Sequence, residues 1–171
     1  FRLYPSKSQQ EKLWRHANKM NSLYNYFLDQ RIETYKNGIK TGRKEQSAEL
    51  VQLKQKDHEL KEIYGQVLQQ IIRRLDLAYQ TFFRGIKRKE ISGFPKFRSC
   101  RNFFGICYPQ PKKGYKIKKN ILETYNYGKI PFVQNREIVG KIKQVKKKKK
   151  NNRWYLNIST DYNEIKQSFG L

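Results

Sequence analysis

The chain has 171 residues, with 38 Lys and Arg against 14 Asp and Glu and a net charge of +24. That length suits one ordinary domain or two small ones, and such a charge calls for a polyanion, with phosphate backbones or anionic lipid headgroups as natural partners. A mean hydropathy of −0.95 would permit disorder, but 14% aromatic residues argue for a packed core and for base-stacking surfaces.

The opening Phe1-Arg2-Leu3-Tyr4-Pro5 alternates apolar and basic residues and is stopped by proline, which predicts a short strand. Ser6 to Gln9 reads as a capping box, followed by Leu13, Ala17, Met20, Tyr24, Phe27 and Leu28 at helical spacing up to Asn37-Gly38. After Gly42-Arg43-Lys44 a thin stripe of Ala48, Val51 and Leu60 predicts a second helix to about Ile63. A third, from about Gln66 to Lys87, has the strongest stripe: Leu68, Ile71, Ile72, Leu75, Ala78, Tyr79, Phe82, Phe83 and Ile86. Near Arg88 the helical period ends. Strands are predicted at 102–108, 115–118, 129–133, 137–148 and 153–162, with Lys150-Asn151-Asn152 as a hairpin turn. The fold class is therefore α+β: a small barrel in which the first strand pairs with the late ones, leaving the helices as an insertion.

Catalytic chemistry is not marked. The acids are scattered among basic residues, with no convergent carboxylate set for two metals, and no Walker loop, dinucleotide fingerprint or nucleophile elbow is present. His16 and His58 read as surface histidines, and Cys100 and Cys107 as structural thiols without a zinc ligand set. No apolar run reaches the roughly 18 to 20 residues of a membrane span and no signal peptide opens the chain, so a cytoplasmic, nucleoid-associated location is expected.

The basic residues carry more information. From Arg84 to Lys119 they include Arg84, Lys87, Lys96, Arg98, Arg101, Lys112 and Lys113, against the single acid Glu90, interleaved with Phe94, Phe97, Phe103, Phe104, Tyr108 and Tyr115. That mixture offers charge for phosphates and ring faces for unpaired bases, although some of these rings must be barrel core. The run Lys146–Lys150 is expected at a hairpin tip, as an edge-protecting cluster or an RNA contact. On the third helix Gln66, Gln69 and Arg73 lie off the apolar stripe, and Gln and Arg are the side chains that pair with base edges in the major groove; plain surface polarity is the other reading.

Arg2-Leu3-Tyr4-Pro5, Tyr24-Asn25-Tyr26-Phe27-Leu28, Gln69, Leu75-Asp76-x-Ala78-Tyr79-x-x-Phe82-Phe83 and Gly93-Phe94-Pro95-Lys96-Phe97-Arg98 stand in that order. With the later Gly140-Lys141-Ile142-Lys143 and Trp154-Tyr155-Leu156-Asn157-Ile158, they resemble the N-terminal half of the transposon-encoded TnpB (OrfB) proteins, related to type V CRISPR effectors. The resemblance covers nearly the whole chain. It implies an RNA-guided DNA endonuclease of an insertion sequence, whose wedge β-barrel, of oligonucleotide-binding type, is interrupted by a recognition bundle of three or four helices. The implied layout is 1–5 for the first barrel strand, 6–88 for the recognition insertion, 89–165 for the rest of the barrel and 166–171 for the start of a RuvC-like nuclease domain.

By this resemblance Gln69 would read the motif beside the DNA target, Arg43 would fall near a motif-reading position, and the Asn102–Gly105 strand, including Phe104, would approach the same DNA; Gln66 and Arg73, off the same stripe, are expected to join Gln69. Lys7, Arg84, Lys87, Lys96, Arg98, Arg101, Lys112, Lys113, Lys141 and Lys143 would hold nucleic-acid backbone. The implied partners are a guide RNA and a double-stranded DNA target with its adjacent motif, with no membrane and no small-molecule substrate. The chain opens on Phe1 in mid-pattern, and Phe169-Gly170-Leu171 looks like the residues just before the family's first catalytic Asp. The expectation is therefore a chain that binds and does not cut. No cofactor is expected within it, and Mg and Zn are expected only for the missing C-terminal part. A stand-alone basic DNA-binding protein, repressor-like or a transposition accessory factor working without guide RNA, is the alternative; a ribosomal-type RNA chaperone is a more distant one.

Overall fold

The computed structural model describes residues 1–100 and 105–161. In chain order the elements are β1 (Arg2–Leu3), α1 (Lys7–Lys36), α2 (Arg43–Lys56), α3 (His58–Glu62), α4 (Gly65–Lys87), β2 (Ile106–Tyr108), β3 (Tyr115–Lys118), β4 (Ile121–Thr124), β5 (Gly128–Val133), β6 (Ile142–Lys150) and β7 (Arg153–Thr160). Contacts divide the chain into two compact units, one of Phe1–Arg15 with Phe104–Leu171 and the other of His16–Phe103; α1 begins in the first and continues in the second. Among the described residues no helix is long and apolar enough to cross a membrane.

In the first unit the strands pair antiparallel in the order β2-β6-β7-β1-β5-β4-β3. The two-residue β1 is the central strand, because no sequence neighbour competes for it: Arg2 pairs with Tyr155 and Val133, and Leu3 with Trp154 and Phe132. Alternate residues point inward, Leu122 and Thr124, Ile130 and Phe132, Val145 and Lys147, Trp154 and Leu156, all buried. The sheet curls into a nearly closed barrel. Lys147 Nζ on β6, second in the order, donates to Thr124 Oγ1 on β4, sixth in the order, at 2.9 Å.

Two local devices fix this unit. Asn151 and Asn152 both have positive φ (48° and 57°), and Lys150 pairs with Arg153, so β6 and β7 are joined by a two-residue turn whose twist matches the strands. The capping box at the start of α1 forms: Ser6 N donates to Gln9 Oε1 at 2.9 Å and Gln9 N to Ser6 Oγ at 3.3 Å. Gln9 Nε2 then donates to Tyr127 O (2.7 Å) and Lys129 O (3.0 Å), tying the helix start to the approach to β5.

The second unit packs Met20, Tyr24, Phe27 and Leu28 of α1 with Leu50, Leu60 and Ile63 and with Leu68, Ile71, Ile72 and Leu75 of α4, all buried. Gly38, at φ +73°, ends α1. The core also holds a polar network. Buried Arg31 donates from Nε to Gln46 Oε1 (2.9 Å) and from a terminal nitrogen to Asp76 Oδ1 (3.2 Å), and its guanidinium lies 5.0 Å from the Tyr79 ring centre. Gln46 Nε2 in turn donates to Phe27 O (2.8 Å) and Gln30 Oε1 (3.0 Å).

The structure departs from several sequence expectations. The second helix does not run on to Ile63, because Asp57 takes an extended conformation and caps a separate α3. Its buried residues are Gln46 and Leu50, while Ala48 and Val51 are exposed, because the Gln46 amide is satisfied by the network. The α4 stripe is buried only as far as Leu75; Phe83 and Ile86 are exposed. β4 went unpredicted, since Ile121-Leu122-Glu123-Thr124 is too short and mixed to stand out between two turns. The expected strand 137–148 begins at Ile142 and continues through Lys150, so the lysine run is strand rather than hairpin tip. Lys147 within it is buried in the barrel. His16 is fully buried, with Nε2 3.0 Å from the Glu62 carboxylate, whereas His58 is exposed. Cys107 is buried, but Cys100 is exposed.

Candidate nucleic-acid interface

Helix α4 sets the geometry of the strongest candidate surface. At 100° per residue Gln66, Gln69, Arg73, Gln80, Arg84 and Lys87 fall in one band, interrupted by Leu77, on the side opposite Leu68, Ile71, Ile72 and Leu75. Every member of the band is exposed except half-buried Gln69. A helix can carry such a band because its apolar half alone anchors it, leaving the other half free for groups that would cost energy to bury.

Gln69 lines an open groove of about 440 Å³ together with Leu50, Val51, Lys54, Lys61 and Gly65. Ser47 of α2 fixes its amide, donating from Oγ to Gln69 Oε1 at 3.1 Å. The Nε2 donors sit on the other limb of the planar group. Arg43 begins α2 one turn before Ser47 and shares its face. Lys54, one of the two groove lysines, also donates to Ile63 O at 3.5 Å, and Asp57 receives Lys19 Nζ at 2.5 Å, so the short α3 is held to α1 and α2 by charge and backbone contacts.

Two of the sequence motifs meet in this unit. Asn25 Nδ2 donates to Arg98 O at 2.9 Å while Arg98 N donates to Asn25 Oδ1 at 2.8 Å, and Asn21 Nδ2 adds a bond to Arg98 O at 3.4 Å. The Arg98 guanidinium lies 5.2 Å from the Tyr24 ring centre. Asn25 in the helix thus clamps the backbone of the Gly93–Arg98 segment as a neighbouring strand would, and Pro95 is buried behind it. Gly85 lets the chain double back. A Cβ there would meet Ser92 Cβ at 2.2 Å, and Glu90 N donates to Gly85 O at 2.9 Å.

Of the expected site residues, Arg43, Gln66, Gln69, Arg73, Arg84, Lys87, Lys96 and Arg98 lie in the helical unit. Lys7, Gly105, Lys112, Lys113, Lys141 and Lys143 lie in the barrel unit; Arg101, Asn102 and Phe104 fall outside the described residues. All the lysines in that group are exposed, and Lys143 pairs with Asp161 at 2.8 Å. Gly105 is buried at φ +93°, where a Cβ would come within 2.6 Å of Lys147 O, so close packing on β6 accounts for the glycine. Ser47, Lys54 and Lys61 escaped the sequence reading, and Asn25 was named in a motif without a role, because their importance depends on which surfaces meet. Among the described residues no group of three or more His, Cys, Asp or Glu side chains could hold a metal ion.

Inside the barrel, Lys147 Nζ lies 3.7 Å from the Tyr127 ring centre and 5.0 Å from that of Tyr108. Burial pushes its pKa well below the usual 10.5, and burial likewise pushes the Tyr108 hydroxyl well above 10. Lys147 therefore belongs to the barrel's interior, out of reach of a phosphate.

The model of the OrfB-type helix-turn-helix domain matches residues 1–40. In this structure that stretch contains β1 and the single 30-residue helix α1, with no turn between two helices. Over 168 residues, 94% of this chain, the sequence is 27% identical to the putative RNA-guided DNA endonuclease InsQ of Escherichia coli (strain K12), and it spans 39% of that protein's length. The resemblance carried by the motifs is thus found again, at the N-terminus and along nearly the whole chain, in a protein of the TnpB/OrfB type.

Proposed function

We propose that this chain binds guide RNA and recognises a target-adjacent DNA motif, as the N-terminal part of a TnpB-like RNA-guided DNA endonuclease of an insertion sequence. The barrel is the wedge, and the helices between residues 6 and 88 are a recognition insertion. The observation that carries the reading is the Gln and Arg band on α4, with the Gln69 amide held by Ser47 at the edge of a groove containing Lys54 and Lys61. A helix of 23 residues is about 34 Å long and fits the major groove, where Gln pairs with adenine N6 and N7 and Arg with guanine O6 and N7. Ser47 would orient Gln69, Lys54 and Lys61 would hold phosphates, and guide pairing would read the rest of the target. Cleavage, with its divalent metal, would belong to the remaining length of such proteins.

The test is to purify the chain with its element expressed and sequence the RNA that comes with it. One discrete noncoding RNA from the element is the expected result; a diffuse mixture displaced by moderate salt would favour a DNA-binding protein that works without a guide. Gln69→Ala should lower discrimination between matched and scrambled motifs by about 1–3 kcal/mol. Equal losses on both DNAs would remove Gln69 from base reading.

A further inference from the structure

The apolar side of α4 continues past Leu75, where its burial ends. Tyr79 and Phe83, one turn apart, are near-parallel, with ring centres 6.1 Å apart and planes at 29°. Phe94, brought back over the helix by the Gly85–Ser92 contact, stands edge-on to Tyr79 (5.6 Å, 86°) and to Phe82 (5.2 Å, 84°). These rings brace one another through Tyr79 and Phe82, yet Phe83 is 51% and Phe94 46% exposed, and Ile86, Ile91 and Phe97, close by in sequence, are more than half exposed. Exposed rings in mutual contact with Tyr79 and Phe82 differ from apolar residues scattered singly over a surface.

Its surroundings select the occupant. Exposed Arg84, Lys87, Arg88, Lys89 and Lys96 alternate with the rings, and Glu90 is the one acid between residues 77 and 100. A protein partner would meet exposed cations next to the rings along the chain. Single-stranded nucleic acid supplies flat apolar faces and an anion at each step of the chain, which matches the alternation. Base pairs in a duplex keep their faces stacked on each other, so the ring faces favour an unpaired stretch.

We propose that Phe83 and Phe94 form a stacking platform for an unpaired segment of the guide RNA, with Arg84, Lys87 and Lys96 on its phosphates. The assignment of the strand rests on the guide-RNA reading above. Both rings already contact Tyr79 and Phe82 before binding, so little side-chain freedom is lost when a base lands on them.

The test replaces both rings by leucine, Phe83→Leu and Phe94→Leu, keeping apolar bulk while removing the π-faces. Binding of a labelled ten-nucleotide oligouridylate and of a blunt duplex RNA is compared by fluorescence anisotropy at one salt concentration. A loss of about tenfold or more on the single strand, with the duplex nearly unchanged, is expected; equal losses on both, or none, would overturn the platform. Should the double variant melt early, the single Phe83→Leu variant, at a half-exposed position, gives the same comparison. Photo-cross-linking of the full chain carrying its copurified RNA then identifies the strand. Guide nucleotides attached to the peptides holding Phe83 or Phe94 are expected, whereas adducts to DNA alone would overturn the assignment to guide RNA. If wild type retains no discrete RNA, the guide reading and the strand assignment fall, while the oligouridylate comparison still decides whether the rings stack bases.

Discussion

Arg31 in the helical unit and Lys147 in the barrel are both buried, and the two are treated in opposite ways. Arg31, in the helical unit, keeps its charge among Gln46, the Asp76 carboxylate and the Tyr79 ring. Lys147, in the barrel, has Thr124 Oγ1 as hydrogen-bond partner and two tyrosine rings beside it, with no carboxylate pairing with it among the described residues, and burial lowers its pKa. A guanidinium cannot discharge, so the sequence must supply its partners; an ammonium can, and burial in the barrel pushes Lys147 in that direction. In a chain of charge +24 the count of basic residues therefore overstates what is available to a polyanion, and it does so by different physics in the two units.

Removing a partner should be costly at the first site and removing the cation helpful at the second. Asp76→Ala leaves Arg31 buried with Gln46 and a ring, and should destabilise the protein by about 3 kcal/mol in denaturant unfolding, the scale of breaking a largely buried pair. A change below about 1 kcal/mol would mean that water reaches Arg31 and that the two sites do not differ in kind. Lys147→Met should stabilise by about 1–3 kcal/mol, because a mostly unsatisfied amine is replaced by an apolar chain of similar length.

The pH dependence separates these cases further. With the folded pKa of Lys147 lowered, the unfolded chain binds the extra proton at pH values between that pKa and 10.5. Wild-type stability therefore rises with pH across the window, and the advantage of Lys147→Met shrinks as pH rises. Calorimetry between about pH 8 and 9.5, below the tyrosine range, reads this directly. A constant advantage would show that Lys147 is not discharged. Asn25→Ala, which removes two bonds to the Arg98 backbone, should cost less, about 1–2 kcal/mol, and should loosen the Gly93–Arg98 segment in hydrogen exchange.

The elements that local chemistry specifies were legible in the sequence. Ser6 and Gln9 form their box, Gly38 ends its helix, Asn151-Asn152 makes its turn, and β1 finds late strands because nothing nearby could pair with it. Whatever depends on tertiary register was not. Val51 and Ala48 look like core at helical spacing, but Gln46 takes the inner position because Phe27 O, Gln30 and Arg31 satisfy its amide. Lys147 sits in a five-lysine run that reads as solvated, and only the period-two alternation with Val145 could have hinted that it points inward. For the candidate site, the Gln66, Gln69 and Arg73 spacing was visible; Ser47, which orients Gln69, was not, since it comes from another helix. Phe82 and Phe83 looked like core because a helical stripe cannot show where its cover ends.

The smallest expected effect concerns how the helical unit holds α3. Asp57 accepts from Leu60 N at 3.2 Å as the helix cap and from Lys19 Nζ at 2.5 Å, and the Lys19 hydrogen bond is the leading cause that lowers its pKa from 3.8. Asp57→Asn keeps a capping oxygen while giving up the charge, so it should cost about 1 kcal/mol or less near neutrality. The folded pKa is depressed, so the unfolded chain binds more protons in the window just below 3.8. The wild-type contribution is therefore complete above that value and is lost as pH falls through the folded pKa, and the stability difference between wild type and Asp57→Asn should close in acid. If the difference survived there, the cap geometry rather than the ion pair would be holding α3. The contrast between the units would then rest on Arg31 and Lys147 alone.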